Sequence, residues 1–184
     1  MEEKNTPTVG LKTGTVRLLP HNVRWEENAA QTIGLIRSVL GEVCIDAQHI
    51  GSTSIKWVSA KPVIDIAVAV KELDDVMPYV DILKENGIIY RRAEYGQLLF
   101  LMGDLENDIK THHIHVCRAG SPEWNNYLNF RDYLNAFPGK AREYDEVKQR
   151  SAALYPDDRK AYTSEKSHII SRLLSEARSW RSES

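Results

Sequence analysis

The chain has 184 residues, which is enough for one domain with its own hydrophobic core. Apolar residues make up 42% of it and charged residues 27%, as in an ordinary globular protein. A formal net charge of −2 argues against a protein that coats nucleic acid or an anionic membrane, so we expect neither as a partner.

The hydrophobic pattern predicts an α+β fold, with a mixed sheet first and helices last. Residues 1–15 are polar and rich in Thr, Pro and Gly, so we expect a flexible segment. Residues 16–120 are expected to form an α/β core, and residues 121–184 to form helices that pack on it within one structural domain. Predicted strands cover 16–19, 43–50, 63–70, 88–92, 97–102 and 113–117. Predicted helices cover 24–40, 73–86, 121–136, 139–154 and 157–180.

The cysteines and the N-terminus indicate a reducing compartment. Cys44 and Cys117 lie in apolar, strand-like runs, which is typical of buried thiols rather than of a disulfide framework. The first residues lack the apolar region of a secretory signal, and no apolar run approaches the ~20 residues of a membrane helix. We therefore expect a cytoplasmic protein.

A glycine–serine turn follows the second predicted strand. Gly51 lets the backbone approach a bound group closely, and Ser52 offers a hydroxyl and a backbone N–H. The turn continues through Thr53 and Ser54 into a short helix whose N-terminus adds donors for a phosphate group. On the next strand, the Asp65 carboxylate can hold a divalent metal against phosphate oxygens. The alternative is a helix-capping turn beside a buried, hydrogen-bonded aspartate.

Three histidines lie close together near the last predicted strand. On a strand, His113 and His115 face the same side and His112 faces the other. Two such imidazoles can share one metal or flank one phosphate, and neutral imidazole suits Zn²⁺ or Mn²⁺. The alternative is a polar ladder on an exposed sheet face. We favour a site, because three of the chain's six histidines are found here.

Three basic residues are candidates for contact with a phosphorylated ligand. Lys61 begins the Asp65 strand and can meet phosphate as a point charge, or it can be a solvated lysine at a strand edge. Arg131 either reaches the cleft or pairs with a nearby acid on the helix surface. Lys166 shares a helix face with Tyr162, and either leans over the ligand or lies exposed.

These segments together resemble the GrpB family, in the right order and from about residue 16 to about residue 177. The matching segments are His49-Ile50-Gly51-Ser52-Thr53-Ser54, Lys61-Pro62-Val63-Ile64-Asp65-Ile66, His113-Ile114-His115-Val116, Phe130-Arg131-Asp132-Tyr133-Leu134 and Tyr162-Thr163-Ser164-Glu165-Lys166. The resemblance implies a nucleotidyltransferase-like mixed sheet flanked by helices, with a helical C-terminal part.

In that superfamily the glycine–serine turn holds a nucleoside triphosphate, and acids on the next strands bind the metals. Gly51 and Ser52 match the turn, and Asp65 matches the first acid. An active nucleotidyltransferase usually has a second acid two residues later, where this chain has Ala67. A third acid is expected on a later strand, where the candidates are His113 and His115.

The resemblance leads to three hypotheses about function. The first is a protein that binds a nucleotide or phosphorylated small molecule with a divalent metal, Mg²⁺ or Mn²⁺ with Zn²⁺ as the alternative, and transfers a nucleotidyl or phosphoryl group. Asp65, His113 and His115 would then be catalytic and would bind the metal. The second is a catalytically inactive binding or accessory module with a protein partner, which Ala67 favours. The third is a metal-dependent hydrolase that uses His113 and His115.

Overall fold

The computed structural model describes residues 9–183 of the chain. Within this range the strands are β1 (Leu11–Lys12), β2 (Asp46–Ile50), β3 (Ile64–Val70), β4 (Ile89–Glu94), β5 (Gln97–Met102), β6 (Ile109–Lys110) and β7 (His112–Arg118). The α-helices are α1 (Arg24–Leu40), α2 (Val80–Glu85), α3 (Pro122–Ala136), α4 (Pro138–Leu154), α5 (Arg159–Glu165) and α6 (Ser167–Ser182). The predicted mixed α+β class is confirmed.

Five strands form one mixed sheet in the order β2-β3-β7-β5-β4. The β3–β7 pair is parallel, whereas the β2–β3, β5–β7 and β4–β5 pairs are antiparallel. Strand β3 lies inside the sheet and is largely apolar on both faces, as its nearly continuous run of apolar, mostly β-branched residues predicts. The parallel pairing of β3 with β7 brings two distant segments of the chain into register.

The alternation along β3 divides the core between the two faces of the sheet. Ile64, Ile66 and Val68 pack with α1 and α2 in the largest apolar cluster. Ala67 and Ala69 point to the opposite face and form a smaller cluster that includes Trp124 of α3. Asp65 lies two residues before Ala67, so its side chain is on the same face of the sheet, the one that the C-terminal helices cover.

One predicted strand and two predicted helices differ from the structure. The predicted strand at 16–19 is reduced to a single bridge between Leu19 and Ala60. The predicted helix 157–180 is two helices, because the chain turns at Lys166 between α5 and α6. Helix 73–86 begins as a 3₁₀ segment, Leu73–Tyr79, that contains Pro78, whose missing N–H interrupts α-helical bonding.

Part of the predicted flexible segment 1–15 is paired with the core. Residues 1–8 lie outside the described range, but Leu11–Lys12 forms a two-stranded antiparallel sheet with Ile109–Lys110. Both cysteines are free and buried, as predicted. None of the helices within residues 9–183 combines the length and the apolar character that crossing a membrane requires.

Candidate functional site

The turn after β2 brings its backbone against the side chain of Asp65. Gly51 adopts φ +71°, a conformation that L side chains rarely take. A Cβ atom added to Gly51 would lie 2.6 Å from Oδ2 of Asp65, so a larger residue cannot occupy this position without displacing the carboxylate. The hydroxyl of Ser54 donates to the Gly51 carbonyl at 2.6 Å and closes the turn. Glycine is therefore required by both the backbone and the close approach.

Two imidazoles converge on one oxygen of Asp65. In the parallel register, Asp65 pairs with His113, and Ala67 pairs with His115. His113 Nδ1 lies 3.1 Å from Asp65 Oδ1, and His115 Nε2 lies 3.7 Å from the same oxygen. His112 points to the other face, where its Nε2 lies 3.1 Å from the hydroxyl of Thr32. The predicted alternation of the three histidines is therefore confirmed.

Tyr127 completes this cluster from α3. Its hydroxyl donates to Oε1 of Gln97 at 3.0 Å and lies 3.2 Å from Nδ1 of His115. His115 is thereby held through both ring nitrogens, whereas Nε2 of His113 has no hydrogen-bond partner among residues 9–183. His113 is therefore the imidazole that can offer a nitrogen to a ligand.

The imidazoles keep the Asp65 carboxyl ionised. Burial acts to raise the pKa of Asp65, but hydrogen bonds from His113 and His115 outweigh it and hold that pKa well below its usual range. A carboxylate held in this way is stable as an anion at neutral pH. It can orient the two imidazoles, and it opposes the binding of a second anion directly beside it.

The donor set does not fit a divalent metal in this arrangement. Oδ1 of Asp65 already faces the two imidazoles, and Oδ2 lies close to the Gly51 backbone. Ala67 is fully buried where a second acid is expected. Among residues 9–183, no group of three or more His, Cys, Asp or Glu side chains is arranged to hold a metal ion. The metal site of the sequence analysis therefore stays a prediction, and we derive no step through it.

A cleft of about 320 Å³ opens between this end of the sheet and the C-terminal helices. The sequence-predicted residues that line it are Gly51, Ser52, Thr53, Lys61, Asp65, His113, His115 and Lys166. Further lining residues that were not singled out as ligand contacts are Tyr127, Phe130, Tyr144, Lys148, Arg159, Tyr162 and Thr163. The fold thus gathers the predicted candidates into one site and adds residues from α3, α4 and α5.

Two predicted ligand contacts, Arg131 and Ser54, are not among the described residues that line this cleft. Nη1 of Arg131 donates to the His49 carbonyl and to the Gln48 side chain, each at 3.0 Å, and its guanidinium pairs with Asp132. Arg131 therefore anchors the end of β2 behind the turn. The hydroxyl of Ser54 is used inside the turn itself.

Lysine side chains from three elements meet in the cleft. Lys61 precedes β3, Lys148 lies on α4, and Lys166 lies between α5 and α6. Lys148 is 1% exposed and donates from Nζ to the Ser59 carbonyl, and Lys166 is 9% exposed. The Tyr162 ring attracts two of these amines, with its centroid 4.0 Å from Nζ of Lys166 and 5.5 Å from Nζ of Lys61.

Burial and mutual repulsion make these lysines easier to deprotonate. Burial, together with the charge of Lys166, lowers the pKa of Lys148 to about 7. Burial and the charge of Lys61 lower the pKa of Lys166 to about 7 as well. The pKa of Lys61 is also lowered, by burial and by Arg159. Burial is the largest cause of all three shifts, and neighbouring basic groups add to it.

Lys148 is the main residue that the sequence analysis missed. On α4 the buried positions Ala141, Tyr144, Lys148 and Ser151 follow helical spacing, so a lysine occupies the buried face of an amphipathic helix. A buried lysine is rare unless it has a partner or a function, and its place in the apolar stripe was the available signal.

The comparisons with known proteins identify one family. The model of the GrpB protein family matches residues 15–176. The chain is 38% identical over 172 residues to the glutamate-rich protein GrpB of Alkalihalophilus pseudofirmus, covering 91% of this chain and 99% of that one.

One solved structure agrees with this assignment. The crystal structure of the conserved protein GrpB from Enterococcus faecalis superposes with a TM-score of 0.81 at 28% identity, over 88% of this chain and 96% of that one. Weaker similarity, with a TM-score of 0.45 at 10% identity, extends over 72% of this chain and 45% of the Cid1 poly(U) polymerase. The chain belongs to the GrpB family.

Proposed function

We propose that the cleft binds a nucleotide or another phosphorylated small molecule. The observation that carries this proposal is the charge of the cleft. Lys61, Lys148, Lys166 and Arg159 supply four basic side chains, and Asp65 is the only carboxylate among the described residues that line it. Buried cations without matching acids favour an anionic ligand, since an anion relieves their repulsion.

The shape of the site supports a ligand with a phosphate at one end. The Ser52 hydroxyl and the lysine amines supply hydrogen-bond donors among the residues that line the cleft. Phe130 adds a partly exposed aromatic side chain to the same cleft, against which an apolar or heterocyclic part of a ligand can pack.

If the protein is an enzyme, we propose transfer of a nucleotidyl or phosphoryl group to a small acceptor. The chain's own groups for such a reaction are His113, which has a free ring nitrogen, and Asp65, which orients it. A second candidate function is a catalytically inactive binding module. Ala67 favours it, because the small side chain packs in the cluster with Trp124 and leaves no acid at that position.

A thermal-shift panel tests the binding proposal. The purified protein is heated with nucleoside triphosphates, coenzyme A precursors or phosphate, each with and without Mg²⁺, Mn²⁺ or Zn²⁺. A ligand that binds only the folded protein stabilises it by mass action and so raises Tm. At a ligand concentration of 100 times Kd the gain in unfolding free energy is about 2.7 kcal/mol. No shift with any member of the panel would refute the proposal.

A transfer assay with a labelled nucleotide distinguishes an active transferase from an inactive binding module. The nucleotide that binds is incubated with the protein and small hydroxyl- or amine-bearing acceptors, and transfer of its nucleotidyl or phosphoryl group is followed. Product that disappears in His113→Ala supports an enzyme. Binding without product across the acceptors supports the inactive module.

A further inference from the structure

Among residues 9–183, none of the three cleft lysines, Lys61, Lys148 and Lys166, forms an ion pair with an acid. Within residues 9–183, the Lys166 side chain is nine-tenths buried and takes part in no hydrogen bond or ion pair, and its amine meets only the face of Tyr162. The charges of Lys61 and Arg159 lower its pKa, and the charge of Asp65 acts in the opposite direction. A buried ammonium in such a place lacks a counter-ion, and the cleft leaves space for one.

The described residues of the cleft do not supply the pair of free carboxylates that would hold a divalent metal beside a bound phosphate. Asp65 is committed to two imidazoles, and Ala67 occupies the position of the second acid. In a site that holds phosphate through metals, the cations are carried by acidic side chains. Here the positive charge belongs to the protein itself, on amines that reach the cleft from three separate elements.

Resting on the proposed function, we infer that the cleft binds a phosphate group of two or more negative charges directly on Lys61, Lys148 and Lys166, without a divalent metal. The ligand class is therefore a phosphomonoester or the end of a polyphosphate. Diesters carry a single charge on the phosphate and are expected to bind less tightly, because they leave part of the lysine charge unpaired.

This arrangement makes magnesium a competitor. Mg²⁺ binds phosphate oxygens and cancels the charge that the lysines would meet. A site built on metals prefers the Mg²⁺ complex of ATP, whereas a site built on Lys148 and Lys166 prefers free ATP. The sign of the magnesium effect therefore distinguishes the two kinds of site.

Binding is also expected to take up protons. Burial lowers the pKa of Lys148 and of Lys166 to about 7, and an anion placed beside them raises those values again. The other titratable or charged groups that face the two amines are Lys61 and Asp65 around β3, Tyr144 and Asp145 on α4, and Arg159 and Tyr162 on α5. Among these groups the acids are Asp65 and Asp145, and Asp145 is engaged with Ser59.

Isothermal titration calorimetry tests the inference with pyrophosphate and ATP as probes. Each is titrated in EDTA and in excess Mg²⁺, in two buffers of different ionisation enthalpy. We expect both probes to bind in EDTA, ATP to bind roughly ten-fold more weakly with Mg²⁺, and the buffers to differ by the enthalpy of the protons taken up.

The variants Lys166→Met and Lys71→Met form a matched pair. Lys71 is exposed just beyond the far end of the strand that bears Asp65, so its loss removes the same charge away from the cleft. We expect Lys166→Met to weaken pyrophosphate binding by about ten-fold or more, and Lys71→Met to change it less than about two-fold. Circular dichroism establishes that both variants fold.

The outcomes separate this inference from the function on which it rests. Binding of ATP only when Mg²⁺ is present would overturn the inference and leave phosphate binding in place. Equal affinity of Lys166→Met and the parent chain for pyrophosphate would overturn it as well. No binding of either probe under any condition would overturn the proposed function.

Discussion

Replacing Lys148 by methionine should stabilise the protein while it weakens ligand binding. Methionine has a similar length and no charge, so it can fill the same buried space on α4. Lys148 is 1% exposed, and burial lowers its pKa from 10.5 to about 7. The buried amine therefore lowers the free energy of unfolding at neutral pH, and a bound anion is expected to offset that loss.

The magnitude follows from proton linkage. A lysine with a pKa of about 7 in the folded state and 10.5 in the unfolded state destabilises the fold by about 4 kcal/mol at pH 7. The substitution also leaves the Ser59 carbonyl without its donor, which costs about 1–3 kcal/mol. The net expectation is a gain of about 1–3 kcal/mol, or roughly 5 °C in Tm for a chain of this length.

The sign of the pH dependence gives a second measure. Between pH 7 and pH 9 the unfolded lysine keeps a proton that folded Lys148 releases, so stability of the parent chain rises with pH, by about 2 kcal/mol from this group. Lys148→Met should lose that part of the rise. The assay is urea denaturation of both proteins at several pH values in this window, followed by pyrophosphate titration, with Lys71→Met as the control.

Two results would refute this reasoning. A Lys148→Met protein that is less stable than the parent by 1 kcal/mol or more, with the same pH dependence, would make Lys148 a structural residue held by Ser59. Unchanged pyrophosphate affinity in a more stable variant would instead show that the amine does not meet the ligand.

Three further predictions follow from the turn and its neighbours. Gly51→Ala should cost more stability than Gly87→Ala, by denaturant titration, because both glycines have positive φ but only the Cβ added at Gly51 meets Asp65; equal losses would contradict this. Asp65→Asn should lower stability at neutral pH by about 1.5–3 kcal/mol, an effect that shrinks below about pH 4 as the carboxyl of the unfolded parent chain takes up a proton, and an unchanged pH profile would count against it. Arg131→Met should reduce thermal stability, because it removes the hydrogen bond to the His49 carbonyl at the end of β2. It should change pyrophosphate affinity less than Lys166→Met does, and a larger loss of affinity measured by calorimetry would contradict this.

The strand that bears Asp65 and the histidine pair were accessible from local pattern. A nearly continuous apolar run, rich in β-branched residues, predicted a strand covered on both faces, and β3 is such a strand. The two-residue period predicted that His113 and His115 share a face that His112 does not, which the contacts confirm.

Arg131 and Lys148 mark where local pattern was insufficient. Both lie on helices, where the spacing identifies a face but not the element that this face meets. Arg131 meets the end of β2 rather than the cleft, and Lys148 enters the cleft beneath the other lysines. The break at Lys166 was also missed, because no glycine or proline marks the turn between α5 and α6.

The sequence by itself determined the mixed α+β class, the central strand and the Gly51 turn, because these depend on short-range periodicity and residue type, and its motifs resembled those of the family. Only the tertiary structure decided that Lys61, Lys148 and Lys166 share one cleft and that Asp65 serves its two imidazoles. The physical reason is that burial and charge depend on neighbours brought from other elements. The parallel register of β3 with β7 and the packing of α4 and α5 supply those neighbours.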